Sequence, residues 1–255
     1  MGTTRSNGSL YTSIVNGVAT VEFGHPASNS FVAELLERLT KTLGELSDNN
    51  EVSVIVLKSE GDRAFCAGAS FDELVEVSNL SEGKIFFSGF AHLINAMRSC
   101  KKLIIGRVQG KAVGGGVGII SACDYVFASE AASIRLSELT IGIAPLVIAP
   151  AVQRKIGVAA LSEMSLSPNE WKNAYWAQEK GLFSKVFDKV GELDKELEFF
   201  AEKLAGYNTE ALEEWKKVLW EGTGHWDTLL TNRAEITGRL AISEETKKAL
   251  QKFKK

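Results

Sequence analysis

Apolar residues recur along the chain with two different periods, and the changes between them outline the elements. Residues 10–14 and 18–23 alternate like half-buried strands, and Asn16-Gly17 between them is a two-residue hairpin signal. Leu35, Leu36, Leu39, Leu43 and Leu46 share one face at helical spacing, which predicts a helix over 32–46. Residues 52–57 predict a strand, 65–70 a loop, and 84–98 a helix with Phe86, Phe90, Leu93 and Met97 on one side. A strand at 103–108, a glycine loop at 114–116, a short apolar helix to Cys123 and strands at 125–128 and 133–136 follow. Beyond Pro150 the pattern is helical. Ser167-Pro168 with Glu170 has the chemistry of a helix start, and Gly181 that of a stop. Strand–helix alternation recurs without a sequence repeat of constant period, so the class is α/β.

Composition narrows the picture. The chain has 255 residues, 45% of them apolar and 24% charged, with a formal charge of −3. That is enough for one large domain, or one domain with a smaller appendage. Glycine concentrates before residue 190 and charge after it. The reading is therefore a core over 1–190 and a charged helical region over 191–255. Apolar stripes at 193–204, 211–219 and 228–240 suit burial against a neighbouring subunit. The charge balance argues against a disordered chain and a basic nucleic-acid binder. The least charged stretch, 139–153, is too short and too rich in Gly and Pro to span a membrane, so no membrane association is expected.

The first residues lack an apolar signal core. Gly2 and Ser6 fit a loose myristoylation pattern, but the segment reads as a polar tail. Cys66, Cys100 and Cys123 lack CxxC spacing and suggest free thiols in the cytoplasm. His25, His92 and His225 are not at zinc-ligand spacing, so no metal site is expected. Trp215 and Trp220 read as core or subunit contacts.

Three stations could carry chemistry. Gly114-Gly115-Gly116-Val117-Gly118 follows a strand and opens a helix, where exposed N–H groups favour negative charge. It matches neither the dinucleotide fingerprint nor a P-loop. The segment Cys66-Ala67-Gly68-Ala69-Ser70 offers small residues beside the main chain, with Ser70 placed to cap a short helix. Glu138 precedes a mostly apolar run, a setting that raises a carboxyl pKa toward the range of proton transfer.

In this order the stations resemble the crotonase superfamily of enoyl-CoA hydratases and isomerases. The matching residues are His25-Pro26 with Asn29, the segment Ala64 to Ala69, Gly110 to Gly118 with Cys123-Asp124, and Ser137-Glu138 before Gly142 and Pro145. The resemblance implies a crotonase-like spiral of ββα units, a helical C-terminal trimerisation region, and a homotrimer or dimer of trimers. It implies an acyl-CoA thioester as substrate and no further cofactor. The thioester oxygen would sit between the N–H groups of Ala69 and Gly115, with Glu138 as acid/base. Cys66, Ala67, Gly68, Ser70, Gly114, Gly118 and Pro145 would contact substrate, and residues 73–90 and 145–150 would wall the acyl pocket. Hydratases of the family use two glutamates, and the first would fall at Gly118. A single carboxylate favours 3-enoyl to 2-enoyl isomerisation. Hydration, also of a branched dicarboxyl substrate, decarboxylation and non-catalytic acyl-CoA binding stay open.

Overall fold

The computed structural model describes residues 7–252, so the Gly2 pattern lies outside the described residues. The chain opens with β1 (Ser9–Val15) and β2 (Val18–Gly24), an antiparallel hairpin. Asn16 and Gly17 turn it with φ of 51° and 78°, both left-handed, as a twist-matched two-residue turn demands. Helix α1 (Ala33–Ser47) buries its leucine stripe as the spacing predicts.

Three turns of a spiral then follow, each a strand in one sheet, a short strand in a second sheet, and a helix. The first is β3 (Val54–Ser59), β4 (Ala64–Cys66), α2 (Phe71–Glu76) and α3 (Leu80–Ser99). The second is β5 (Leu103–Val108), β6 (Lys111–Val113) and α4 (Gly115–Ala122). The third is β7 (Tyr125–Ser129), β8 (Ser133–Arg135), a 3-10 turn at Glu138–Ile141 and α5 (Ala149–Leu166). The loop expected at 65–70 thus begins as strand β4, too short to show a period and held by pairing with β6.

After α5 come β9 (Lys172–Asn173), α6 (Ala174–Glu179), β10 (Lys185–Phe187), α7 (Val190–Ala205), α8 (Thr209–Leu219), α9 (Trp226–Ala241) and α10 (Glu244–Gln251). The larger sheet runs β1-β2-β3-β5-β7-β10, and the smaller β4-β6-β8-β9. β5 is buried at all six positions, because the parallel centre of the larger sheet is covered on both faces.

The helix start expected at Ser167 is not one. Ser167 ends α5, and its N–H donates to Glu163 O. The next helix begins at Ala174, where the Asn173 side chain accepts from Trp176 N–H. Gly181, with φ 85°, follows that helix as a left-handed stop.

The C-terminal helices share the core of the spiral. Trp220, Trp226, Leu230 and Ala234 join its main apolar cluster. Asp124, after α4, gathers α8: it pairs with Lys216 Nζ at 2.6 Å and accepts from Trp220 Nε1 at 2.7 Å. Among the described residues no helix is long and apolar enough to cross a membrane.

Candidate active site

The ends of the short strands in the smaller sheet meet around a cavity of about 380 Å³. Three local devices shape it.

The first is the loop after β4. Asn29, buried with φ 57°, donates to Glu60 O at 2.8 Å and to Ala64 O at 2.9 Å. Ala67 N–H donates to Ser28 O, Phe31 N–H to Gly68 O, and Ser70 N–H to Phe31 O. The loop is therefore pinned on both sides of Ala69. Among the described residues the Ala69 N–H itself has no acceptor.

The second is the turn into α4. Gly114 N–H donates to Arg135 O at 2.9 Å, and Gly114 O accepts from Val117 and Gly118. Gly114 has φ 52°, and a Cβ there would lie 2.8 Å from Glu138 Oε1. Glycine is needed for both the turn and the room. Gly115 then opens the helix with its N–H unclaimed among the described residues, at the positive end of the helix dipole. Gly68, with φ 90°, brings the loops together: a Cβ on it would lie 3.7 Å from Gly115 N.

The third is the 3-10 turn that carries Glu138. Gly142, with φ 83°, closes it, and its O accepts from Thr246 Oγ1 of α10 at 3.0 Å. Glu138 is half-buried as a residue, but its Oε2 is enclosed and has no hydrogen-bond partner. Burial pushes its pKa up to about 7, opposed by the residue's own N–H, which favours the charged form. A carboxyl group in that range can take a proton and return it near neutral pH.

Ala67, Gly68, Ala69, Gly114, Gly115, Glu138 and Pro145 all line the cavity. Leu74, Phe87 and Phe90 come from the expected wall over 73–90, and Leu146, Val147 and Ile148 from that over 145–150. Cys66, Ser70 and Gly118 do not line it. Cys66 is buried against Gly116, with its thiol pushed up to about 12 by burial. The Ser70 hydroxyl caps α2 by accepting from Glu73 N–H at 3.3 Å. A Cβ on Gly118 would lie 2.4 Å from the Ile148 Cγ2 methyl. Small residues in these motifs thus serve packing as well as the cavity.

Arg135, Thr140 and Thr237 line the cavity without having been singled out in the sequence. Thr237 arrives from α9, brought in where Gly238 crosses Gly83 of α3. A Cβ on Gly83 would lie 2.8 Å from Gly238 Cα. The Thr237-Gly238 break in an otherwise apolar stripe is the signal that could have marked it. His92 is exposed on α3, away from the cavity. Among the described residues no group of three or more His, Cys, Asp or Glu side chains could hold a metal ion.

Comparison with known proteins identifies the class. The enoyl-CoA hydratase/isomerase family model matches residues 13–255, and the chain belongs to that family of crotonase-type enzymes. It is 29% identical over 203 residues to a peroxisomal Delta(3,5)-Delta(2,4)-dienoyl-CoA isomerase of Arabidopsis thaliana, covering 75% of this chain and 72% of that one. It is 27% identical over 239 residues to a short-chain-enoyl-CoA hydratase of Clostridium acetobutylicum, covering 92% and 90%. The crystal structure of an enoyl-CoA hydratase from Bacillus halodurans shares the fold, with a TM-score of 0.88 at 21% identity over 95% of this chain and 99% of that one.

Proposed function

We propose that the protein isomerises 3-enoyl-CoA thioesters to 2-enoyl-CoA thioesters, with Glu138 as the one group that moves the proton. The thioester oxygen accepts from the N–H groups of Ala69 and Gly115. Glu138 removes a proton from C2, the electron pair delocalises into the dienolate, and the negative charge collects on the held oxygen. The protonated Glu138 then gives its proton to C4, leaving the double bond between C2 and C3 and the carboxylate as it began. Donors waiting where charge develops need no reorganisation, and losing one such donor typically costs about 2.7–4 kcal/mol of barrier.

One observation carries this reading. Glu138 is the one carboxylate among the described residues that line the cavity, and Ile148 fills the space beside Gly118. Isomerisation needs one proton carrier, whereas hydration also needs a water to be oriented and activated. Hydration is the second reading, favoured by the Clostridium relative's name and its match along nearly the whole chain. Initial rates on a 3-enoyl- and a 2-enoyl-CoA of equal chain length separate the two. Faster isomerisation supports the proposal, and fast hydration without isomerisation overturns it.

We further propose a trimer or a dimer of trimers. The exposed Phe199, Tyr207 and Trp215 on the C-terminal helices and their link support it. Light scattering should give three or six times the 27.7 kDa chain mass, and a monomer would contradict it.

A further inference from the structure

Helix α10 exposes Glu244, Glu245, Lys247 and Lys248, yet it buries Thr246 fully, one turn before Leu250 of the main apolar cluster. Threonine is a weak helix former, and a buried hydroxyl is costly without a partner. The Thr246 hydroxyl has a single acceptor. Its Oγ1 donates to Gly142 O at 3.0 Å, and Ser243 Oγ, at the start of the helix, donates to that Oγ1 at 3.1 Å. No backbone N–H among the described residues donates to Gly142 O. The fit is close: a Cβ on Gly142 would lie 2.6 Å from Thr246 Oγ1 and 3.0 Å from Thr246 Cα.

Gly142 N–H closes the 3-10 turn on Leu139 O at 3.2 Å, and Ile143 N–H donates to Glu138 O at 3.2 Å. The turn thus ends on the backbone of Glu138 itself. The Glu138 carboxylate has no outside support: Oε2 is unpartnered, and its own N–H is the one donor to it among the described residues. With no other donor to aim it, the carboxylate stands where the turn puts it, beside Gly114. We propose that Thr246 is a positioning residue: its hydrogen bond to Gly142 O fixes the turn and so holds the Glu138 carboxylate in place for proton transfer. This deepens the proposed function and rests on it for Glu138 as the group that moves the proton. A misplacement of about 1 Å can cost on the order of 10²-fold in rate, so a helix outside the cavity can govern turnover.

The test compares the wild type with Thr246→Val and Thr246→Ser, each with its melting temperature recorded. Turnover is measured on 3-hexenoyl-CoA, and binding of the unreactive hexanoyl-CoA by calorimetry. The Glu138 carboxyl is titrated by ¹³C NMR, its signal assigned by its absence in Glu138→Gln. Thr246→Val should lower kcat about 10- to 100-fold and leave hexanoyl-CoA affinity within about twofold. Its Glu138 titration should fall from about 7 toward 4.5, as a loosened turn lets water reach the carboxylate. Thr246→Ser keeps the hydroxyl and should recover most of both. Thr246→Ala removes the hydroxyl without adding bulk and serves if Thr246→Val does not fold. Wild-type kcat in the folded Val or Ala variant would overturn the proposal. So would a fall in kcat with the titration not lowered, or with hexanoyl-CoA affinity lost to the same extent. If the wild type does not isomerise 3-hexenoyl-CoA, the isomerase reading fails by itself, and the Glu138 titration alone decides the role of Thr246.

Discussion

The side chain of Ile148 occupies the space into which any side chain at position 118 would project. A Cβ built on Gly118 lies 2.4 Å from Ile148 Cγ2 and 2.7 Å from Ile148 Cβ. The clash involves the stiff branch point of Ile148, not a flexible tip. Gly118→Ala should therefore cost about 1–3 kcal/mol of stability by overpacking. Sequence reasoning alone suggests that Gly118→Glu would restore a second carboxylate and raise hydration. The packing predicts a destabilised protein with no gain. Gly118→Glu combined with Ile148→Ala makes the room, and that pair should raise 2-enoyl-CoA hydration. Melting curves and hydration rates of the three variants check this.

Gly114 borders the carboxylate proposed as the base, and Gly115 carries one of the two proposed oxyanion donors. A Cβ on Gly114 meets the Glu138 carboxylate, and one on Gly115 meets Phe90 Cε1 at 2.3 Å. Gly114→Ala should displace the base and lower kcat about 10²-fold or more, the scale of lost acid–base assistance. Gly115→Val should disturb the helix start and its donor, with a loss of about 10²–10³-fold. Ala69→Pro should act similarly by deleting the other N–H. Steady-state rates on 3-enoyl-CoA check all three, and near wild-type kcat in a folded Ala69→Pro or Gly115→Val would remove the oxyanion-hole assignment.

The hairpin at Asn16-Gly17, the leucine stripe of α1, the glycine turn into α4 and the position of Glu138 were legible because each rests on neighbouring residues. Ser167 marks the limit of such local signals. Ser-Pro-Asn-Glu suits a helix start and a helix exit alike, and here Ser167 closes α5 with its N–H on Glu163 O. Ile148 against Gly118 and Gly238 against Gly83 are contacts between elements distant in sequence, for which no local pattern exists.

The raised pKa of Glu138, about 7, predicts two linked pH effects. In the proposed isomerisation Glu138 is the base and must be ionised, so kcat/KM should fall about tenfold per pH unit below that value. Stability runs the other way. The folded state holds a proton on Glu138 that the unfolded chain releases near 4.5, so stability falls as pH rises from about 4.5 to about 7. The effect is on the order of 3 kcal/mol once complete. The stability of Glu138→Gln relative to the wild type should therefore rise across that window, as denaturant unfolding at pH 4.5 and 7.5 would show.

Lys216 and Asp124 are both nearly excluded from solvent, and Ile104 N–H and Trp220 Nε1 also donate to that carboxylate. Lys216→Met leaves Asp124 buried without its cation and should cost about 3–5 kcal/mol. Lys216→Met with Asp124→Asn should recover much of the loss. Urea unfolding of the single and double variants measures both.

The proposed isomerisation has one enclosed carboxylate carry a proton from C2 to C4. The most direct measurement follows the label when 3-enoyl-CoA deuterated at C2 is isomerised in ordinary water. Because Glu138 Oε2 is shut off and unpaired, part of the deuterium should appear at C4 of the 2-enoyl product, and Glu138→Gln should abolish product formation. Complete loss of deuterium to solvent, with activity persisting in Glu138→Gln, would mean that another group moves the proton.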